Sequence, residues 1–176
     1  MHTESIFVTA IPPYTVSTPV PSFVSEGVFT DEQGEVLVMI AEPAVMELVA
    51  SVTDPALFVL DYVVNAGLEG FKKTLPGAID IIRRRHPEVP IALLTPMHLC
   101  RELWIPQRAA DFREVCDLMR DEAARRRASG DANVHFVNGT VESSDWFEYM
   151  VDGVHLTDLG FYKQTELVAP QLEKLL

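Results

Sequence analysis

The sequence predicts an α/β fold, a mostly parallel sheet of about five strands covered by helices on both faces. Two observations predict it. Short, continuously apolar runs rich in Val, Ile and Leu recur along the chain, as expected of strands buried on both sides. Between them lie longer amphipathic segments of helical period. Strands separated by helices pair in parallel through right-handed crossovers, which places helices on the faces of the sheet.

The elements follow in order. Ile6-Phe7-Val8-Thr9-Ala10 reads as a first strand. Pro12, Pro13, Pro19 and Pro21 then disfavour regular structure until Ser22, where Phe23, Val24 and Phe29 allow one short helix. Residues 36–40 are a short apolar run, and residues 42–52 carry Val45, Leu48, Val49 and Val52 at helical spacing. Residues 56–60 form a buried strand running into Asp61-Tyr62-Val63-Val64-Asn65. Residues 68–85 are amphipathic, with Phe71, Leu75, Ile79 and Ile82 inward and Pro76 as a local break or start of the helix. Their basic end, Arg83 to Arg85, suits a solvated helix C-terminus, and Arg125 to Arg127 read the same way.

Residues 91–94 are the next strand. A Pro-bounded loop over residues 96–106 precedes a helix over residues 107–128, with Phe112, Val115, Cys116, Met119 and Ala123 inward and Gly130 as its stop. Residues 134–137 are another strand. After a polar loop, Thr157 or Asp158 caps a closing helix whose apolar side is Leu159, Tyr162, Leu167 and Leu172 to Leu176. The 176 residues are read as a single domain with an atypical segment over residues 1–35.

A formal net charge of −12 argues against nucleic acid and anionic membranes as partners. No basic leader and no membrane-spanning apolar run is read at the sequence level, and the two cysteines lack metal-like spacing. The expectation is a cytoplasmic protein with free thiols and no metal.

Asp152-Gly153-Val154-His155 carries the chemistry. A hydrolytic histidine needs a carboxylate to fix its tautomer and stabilise the imidazolium it becomes, and one tight turn supplies both. In an open parallel sheet ligands sit at the carboxyl ends of strands, where Asn65 and this turn are both expected. Asn65 reads either as an oxyanion donor or as a strand-end Asx turn. His98 and Cys100, in the loop after the 91–94 strand, form a conceivable thiol–imidazole pair. Trp104 and Trp146 either wall a substrate pocket or cover the edge of the core.

Residues 152–164, VDGVHLTDLGFYKQ with its preceding Val151, resemble the Asp-x-x-His block of the SGNH (GDSL-type) serine esterases and acylhydrolases. Leu60-Asp61-Tyr62-Val63-Val64-Asn65 is similar to that family's block containing the active-site Asn, and Glu42-Pro43 fits the stretch before it. The resemblance covers residues 42–176. It implies a flavodoxin-like three-layer sandwich, and a small-ester esterase or deacetylase working without a cofactor. His155 would be the base, Asp152 its orienting acid and Asn65 an oxyanion donor. The family's Gly-Asp-Ser block has no recognisable counterpart here. Ser5 is the nucleophile the alignment of blocks suggests, Ser17 the alternative, and Gly34 the candidate second oxyanion donor. A catalytically degenerate module that binds a ligand or partner is the other reading. A truncated or rearranged start lacking the family's first strand would expose the edge or middle of the sheet, for which a homodimer is the natural cover.

Overall fold

The computed structural model describes residues 7–11, 41–142 and 146–176. Among them a four-stranded sheet runs β1 (Phe7–Ile11), β2 (Leu57–Asp61), β3 (Ile91–Leu94), β4 (Val134–Val137), in that spatial order. β2, β3 and β4 are parallel, with Val59 opposite Ala92 and Leu93 opposite Phe136. β1 is antiparallel to β2, pairing Phe7 with Asp61 and Ile11 with Leu57. The expected first strand therefore exists one residue later than read, at the antiparallel edge of the sheet. The strand expected over residues 36–40 and the short helix after Ser22 lie outside the described residues.

Side chains of the parallel strands alternate between two faces, and both faces are buried. Phe58, Leu60, Ile91, Leu93 and Val134 point to one. Leu57, Val59, Ala92, Leu94 and Val137 point to the other. This explains runs with no polar alternation. The first face is covered by α1 (Pro43–Val49), α2 (Val63–Arg85) and α3 (Pro106–Ala128), through Met46, Phe71, Leu75, Ile79, Ile82, Val115 and Met119. Full burial of each such side chain contributes about 1.5–3 kcal/mol. The second face is covered by α5 (Asp158–Leu172), chiefly through Val168, with Leu172 and Leu175 packed beside it. A short helix, α4 (Trp146–Tyr149), precedes the last loop. The result is a three-layer α/β/α arrangement.

Several local expectations are corrected. α1 is shorter than read, because Pro43 opens it and Ala50 caps it. Pro76 does not break α2. Apolar residues on both sides of it, Phe71, Leu75, Ala78, Ile79 and Ile82, are buried together, and this packing holds the helix through the proline. The interruption falls at Gly67, whose φ of 64° and ψ of 173° are open to glycine and strained for other residues. Val63 to Ala66 thus form a separate first turn.

Arg83 is not a solvated helix end. Its guanidinium donates to both oxygens of Asp131, at 2.7 and 3.1 Å, and to the carbonyls of His86, Val89 and Asn133. It clamps the chain where it enters β3 and β4. Arg126 is likewise half-enclosed, between Glu122 and Asp80. On α5, Leu159 and Tyr162 face solvent instead of the core, because only the later turns of that helix reach the sheet.

Candidate active site

β3 and β4 leave the sheet side by side and are tied there by a buried threonine. Thr95 donates its N–H to the Val137 carbonyl, its hydroxyl accepts from the Gly139 N–H at 2.8 Å, and the Thr140 hydroxyl lies 3.0 Å away. The chain after β3 then makes a loop with a 3-10 turn at Cys100–Leu103. Glu102 folds back into this loop. It accepts the Leu99 N–H at 2.7 Å and lies 2.9 Å from His98 Nδ1, while the His98 ring stacks on Phe112 at 4.4 Å.

The loop is a bed for the Asp152 turn. Met97 and Cys100 pack with Tyr149 and Met150, beside Val141 and Leu156. The Cys100 N–H donates to the Gly153 carbonyl at 3.0 Å. Gly153 has a φ of 87°, and a Cβ there would lie 3.2 Å from that of Cys100, so a side chain would be both strained and crowded. The turn is also stitched to itself. Met150 bridges Leu156, Val151 N–H donates to the His155 carbonyl at 2.7 Å, and Thr157 N–H donates to the Tyr149 carbonyl. Thr157, not Asp158, is the N-cap of α5: its hydroxyl accepts from the Gly160 N–H at 3.1 Å.

At the tip, Asp152 and His155 meet as the spacing requires. Asp152 Oδ2 is 2.7 Å from His155 Nδ1, and Oδ1 accepts the N–H groups of Val154 and His155 at 3.0 and 2.9 Å. The N–H and side chain of His155, with the Val154 N–H, hold the Asp152 carboxyl far below the usual carboxylate range. An ionised acceptor on Nδ1 assigns the proton of the neutral ring there and makes Nε2 its acceptor nitrogen. Both side chains are about half exposed.

Asn65 lies in the first turn of α2, just past the carboxyl end of β2, half-buried. It belongs to the short segment before Gly67 and not to a strand end. Next to this turn, the Asp61 carboxyl is pushed up to about 6 by burial. Sequence reading quoted Asp61 without giving it a role; the signal was an acid closing an otherwise apolar strand. Glu102 was also passed over, though it follows His98 by the four residues that bring helical side chains together. The conceivable pairing of His98 with Cys100 is not formed. His98 Nδ1 meets Glu102 and its Nε2 lies 3.8 Å from Glu142, while Cys100 is buried with its thiol raised by desolvation, the reverse of an activated nucleophile. Ser5, Ser17 and Gly34 lie outside the described residues. Among the described residues no cluster of His, Cys, Asp and Glu could hold a metal ion, and no helix is long and apolar enough to cross a membrane.

Solved structures share this fold. A GDSL-like lipase candidate from Bacteroides ovatus matches with a TM-score of 0.67 and 21% identity, over 77% of this chain and 40% of its own. A salicylyl-acyltransferase from a tetracycline biosynthetic pathway matches at 0.60 and 23%, over 77% and 42%. A family 3 carbohydrate esterase from Talaromyces cellulolyticus matches at 0.58 and 16%, over 77% and 65%. The chain therefore spans less than two thirds of each of these proteins. No curated protein matches it. The sequence profile of the GDSL-like lipase/acylhydrolase family matches residues 38–173, a span containing Asn65, Asp152 and His155, and the chain belongs to that family.

Proposed function

We propose that this protein hydrolyses a small carboxylic ester by acyl transfer to a serine. The observation that carries the reading is the exposed Asp152–His155 pair, 2.7 Å apart, with the carboxylate locked by two backbone N–H groups. His155 Nε2 takes the proton of the serine hydroxyl as its oxygen adds to the ester carbonyl. Asp152 stabilises the imidazolium, and the Asn65 amide donates to the oxyanion. Collapse expels the alcohol, which receives its proton from His155. Water then attacks the acyl-serine through the same base and releases the acid. Ser5 is the proposed nucleophile, with Ser17 as the alternative, and Gly34 is the proposed second oxyanion donor. The chemistry calls for no metal or organic cofactor, and two free cysteines suit a cytoplasmic setting. We further propose a homodimer.

A serine-reactive fluorophosphonate probe, with the adduct mapped by mass spectrometry, tests the reading beside hydrolysis of a short-chain ester by wild type and His155→Ala. A serine adduct and His155-dependent turnover are expected. The sequence lacks a Gly-Asp-Ser string, which favours one competitor, a degenerate module that binds without turnover. Absence of an adduct, with equal turnover in wild type and variant, would establish that competitor.

A further inference from the structure

Five large apolar side chains stand in solvent around the Asp152 turn: Leu103, Trp104, Ile105, Phe147 and Val151. Trp104 and Phe147 touch, with ring centroids 5.7 Å apart and planes tilted by 52°, yet remain 65% and 57% exposed. Exposed apolar patches of this kind mark contact surfaces. Its position says for what. Trp104 follows the 3-10 turn whose Cys100 N–H holds the Gly153 carbonyl. Phe147 belongs to α4, just before the Met150–Leu156 bridge, and the Val151 N–H is bonded to the His155 carbonyl. The ridge is therefore built from the segments that fix Asp152 and His155.

We propose that Trp104 and Phe147 form the subsite for the alcohol portion of the ester, and that this portion carries a ring with an apolar face. The inference rests on the ester-hydrolase reading. In that chemistry His155 must hand a proton to the departing alcohol oxygen, so the alcohol lies against the imidazole; Phe147 and Val151 lie on the segment that leads into the imidazole's turn, and Trp104 on the loop bonded to it. The surface is open, not enclosed. Among the described residues two open depressions lie elsewhere, one between α2 and α3 at Leu75 and Leu118, the other beside Ala50, Pro55 and His86. An open aromatic surface favours a flat ring lying on it over a long flexible chain, because stacking gains contact without ordering many rotors. Sugar rings and aryl rings share this chemistry.

The test compares kcat/KM on methyl acetate, phenyl acetate and a monoacetylated methyl xylopyranoside. In wild type the ring esters are preferred. In Trp104→Ala and Phe147→Ala the ratio of ring ester to methyl acetate falls about fivefold to tenfold, through KM. Trp104→Phe keeps the ratio within about twofold of wild type. Loss on the xyloside alone identifies a sugar ring, and loss on phenyl acetate alone an aryl ring. A ratio unmoved in both alanine variants overturns the proposal. Ligand-observed NMR with methyl xylopyranoside and benzyl alcohol, on His155→Ala, separates the two readings. Ring contact that disappears with Trp104→Ala, where the wild type itself cleaves none of the three esters, preserves the subsite and defeats the hydrolase. No ring contact in either background defeats the subsite.

Discussion

Two histidine–carboxylate pairs stand beside the carboxyl ends of the strands, one on Asp152–His155 and the other on Glu102–His98. Each joins a carboxylate to Nδ1, at 2.7 and 2.9 Å, and in each the carboxylate also accepts a backbone N–H of its own turn. Bond geometry alone does not separate them. Enclosure does. Side-chain exposure is 54% and 53% for His155 and Asp152, against 14% and 5% for His98 and Glu102. His98 packs on Phe112 and Glu102 organises the loop from inside. The first pair is open to solvent, as the proposed reaction requires, and the second is enclosed within the loop that packs beneath it. A buried carboxylate with two donors is a positioning device; an exposed one with three donors is a means of holding an imidazole steady.

Four experiments break or sharpen this contrast. The largest effect is on turnover: His155→Ala should lower kcat/KM by about 10²–10⁴, as loss of a general base does, and by at least about tenfold more than His98→Ala. The reverse ranking in steady-state ester hydrolysis would exchange the roles of the two pairs. Asn65→Ala should lower kcat by about 10²–10³ with little change in KM, the mark of an oxyanion donor. A change confined to KM would make Asn65 a ground-state contact instead.

Stability should divide the other way. His98→Ala leaves the enclosed Glu102 short of a donor and should cost about 1–3 kcal/mol in urea unfolding, more than His155→Ala costs. Equal midpoints would show that His98 supports nothing. The smallest effect is in pH. The folded-state pKa of Asp152 is depressed below its ordinary 3.8, so its contribution to stability is present above that value and lost as pH falls below it. Asp152→Asn should therefore differ from wild type in urea midpoint near neutral pH, and the two should converge in strong acid. A difference that grows on acidification would contradict the sign.

Much of this was legible before any coordinates. The apolar run at residues 91–94 is a strand with those limits, because burial on both faces leaves no polar alternation to confuse with a helix, and residues 134–137 form the edge strand beside it with His135 and Phe136 part-buried. Asp152 and His155 were legible because a three-residue spacing within one turn closes locally. What failed depended on distant partners. Nothing near Arg83 in sequence announces Asp131, forty-eight residues away, so a clamp looked like a solvated end. Pro76 looked like a break because its own chemistry is unfavourable, while the packing that overrides it comes from the sheet. The direction of β1 is set by pairing and not by composition, so the antiparallel edge was invisible. Glu102 was overlooked because a single acid in a loop carries no pattern until His98 and Leu99 are seen around it.

The interruption at Gly67 makes the turn bearing Asn65 mechanically separable from the long rod behind it. The bend lets that turn take its own direction past the end of β2 while Phe71, Leu75, Ile79 and Ile82 fix the axis of the rod against the sheet. Any side chain at this corner would have to adopt a positive φ, and the cost would fall first on the turn that carries Asn65.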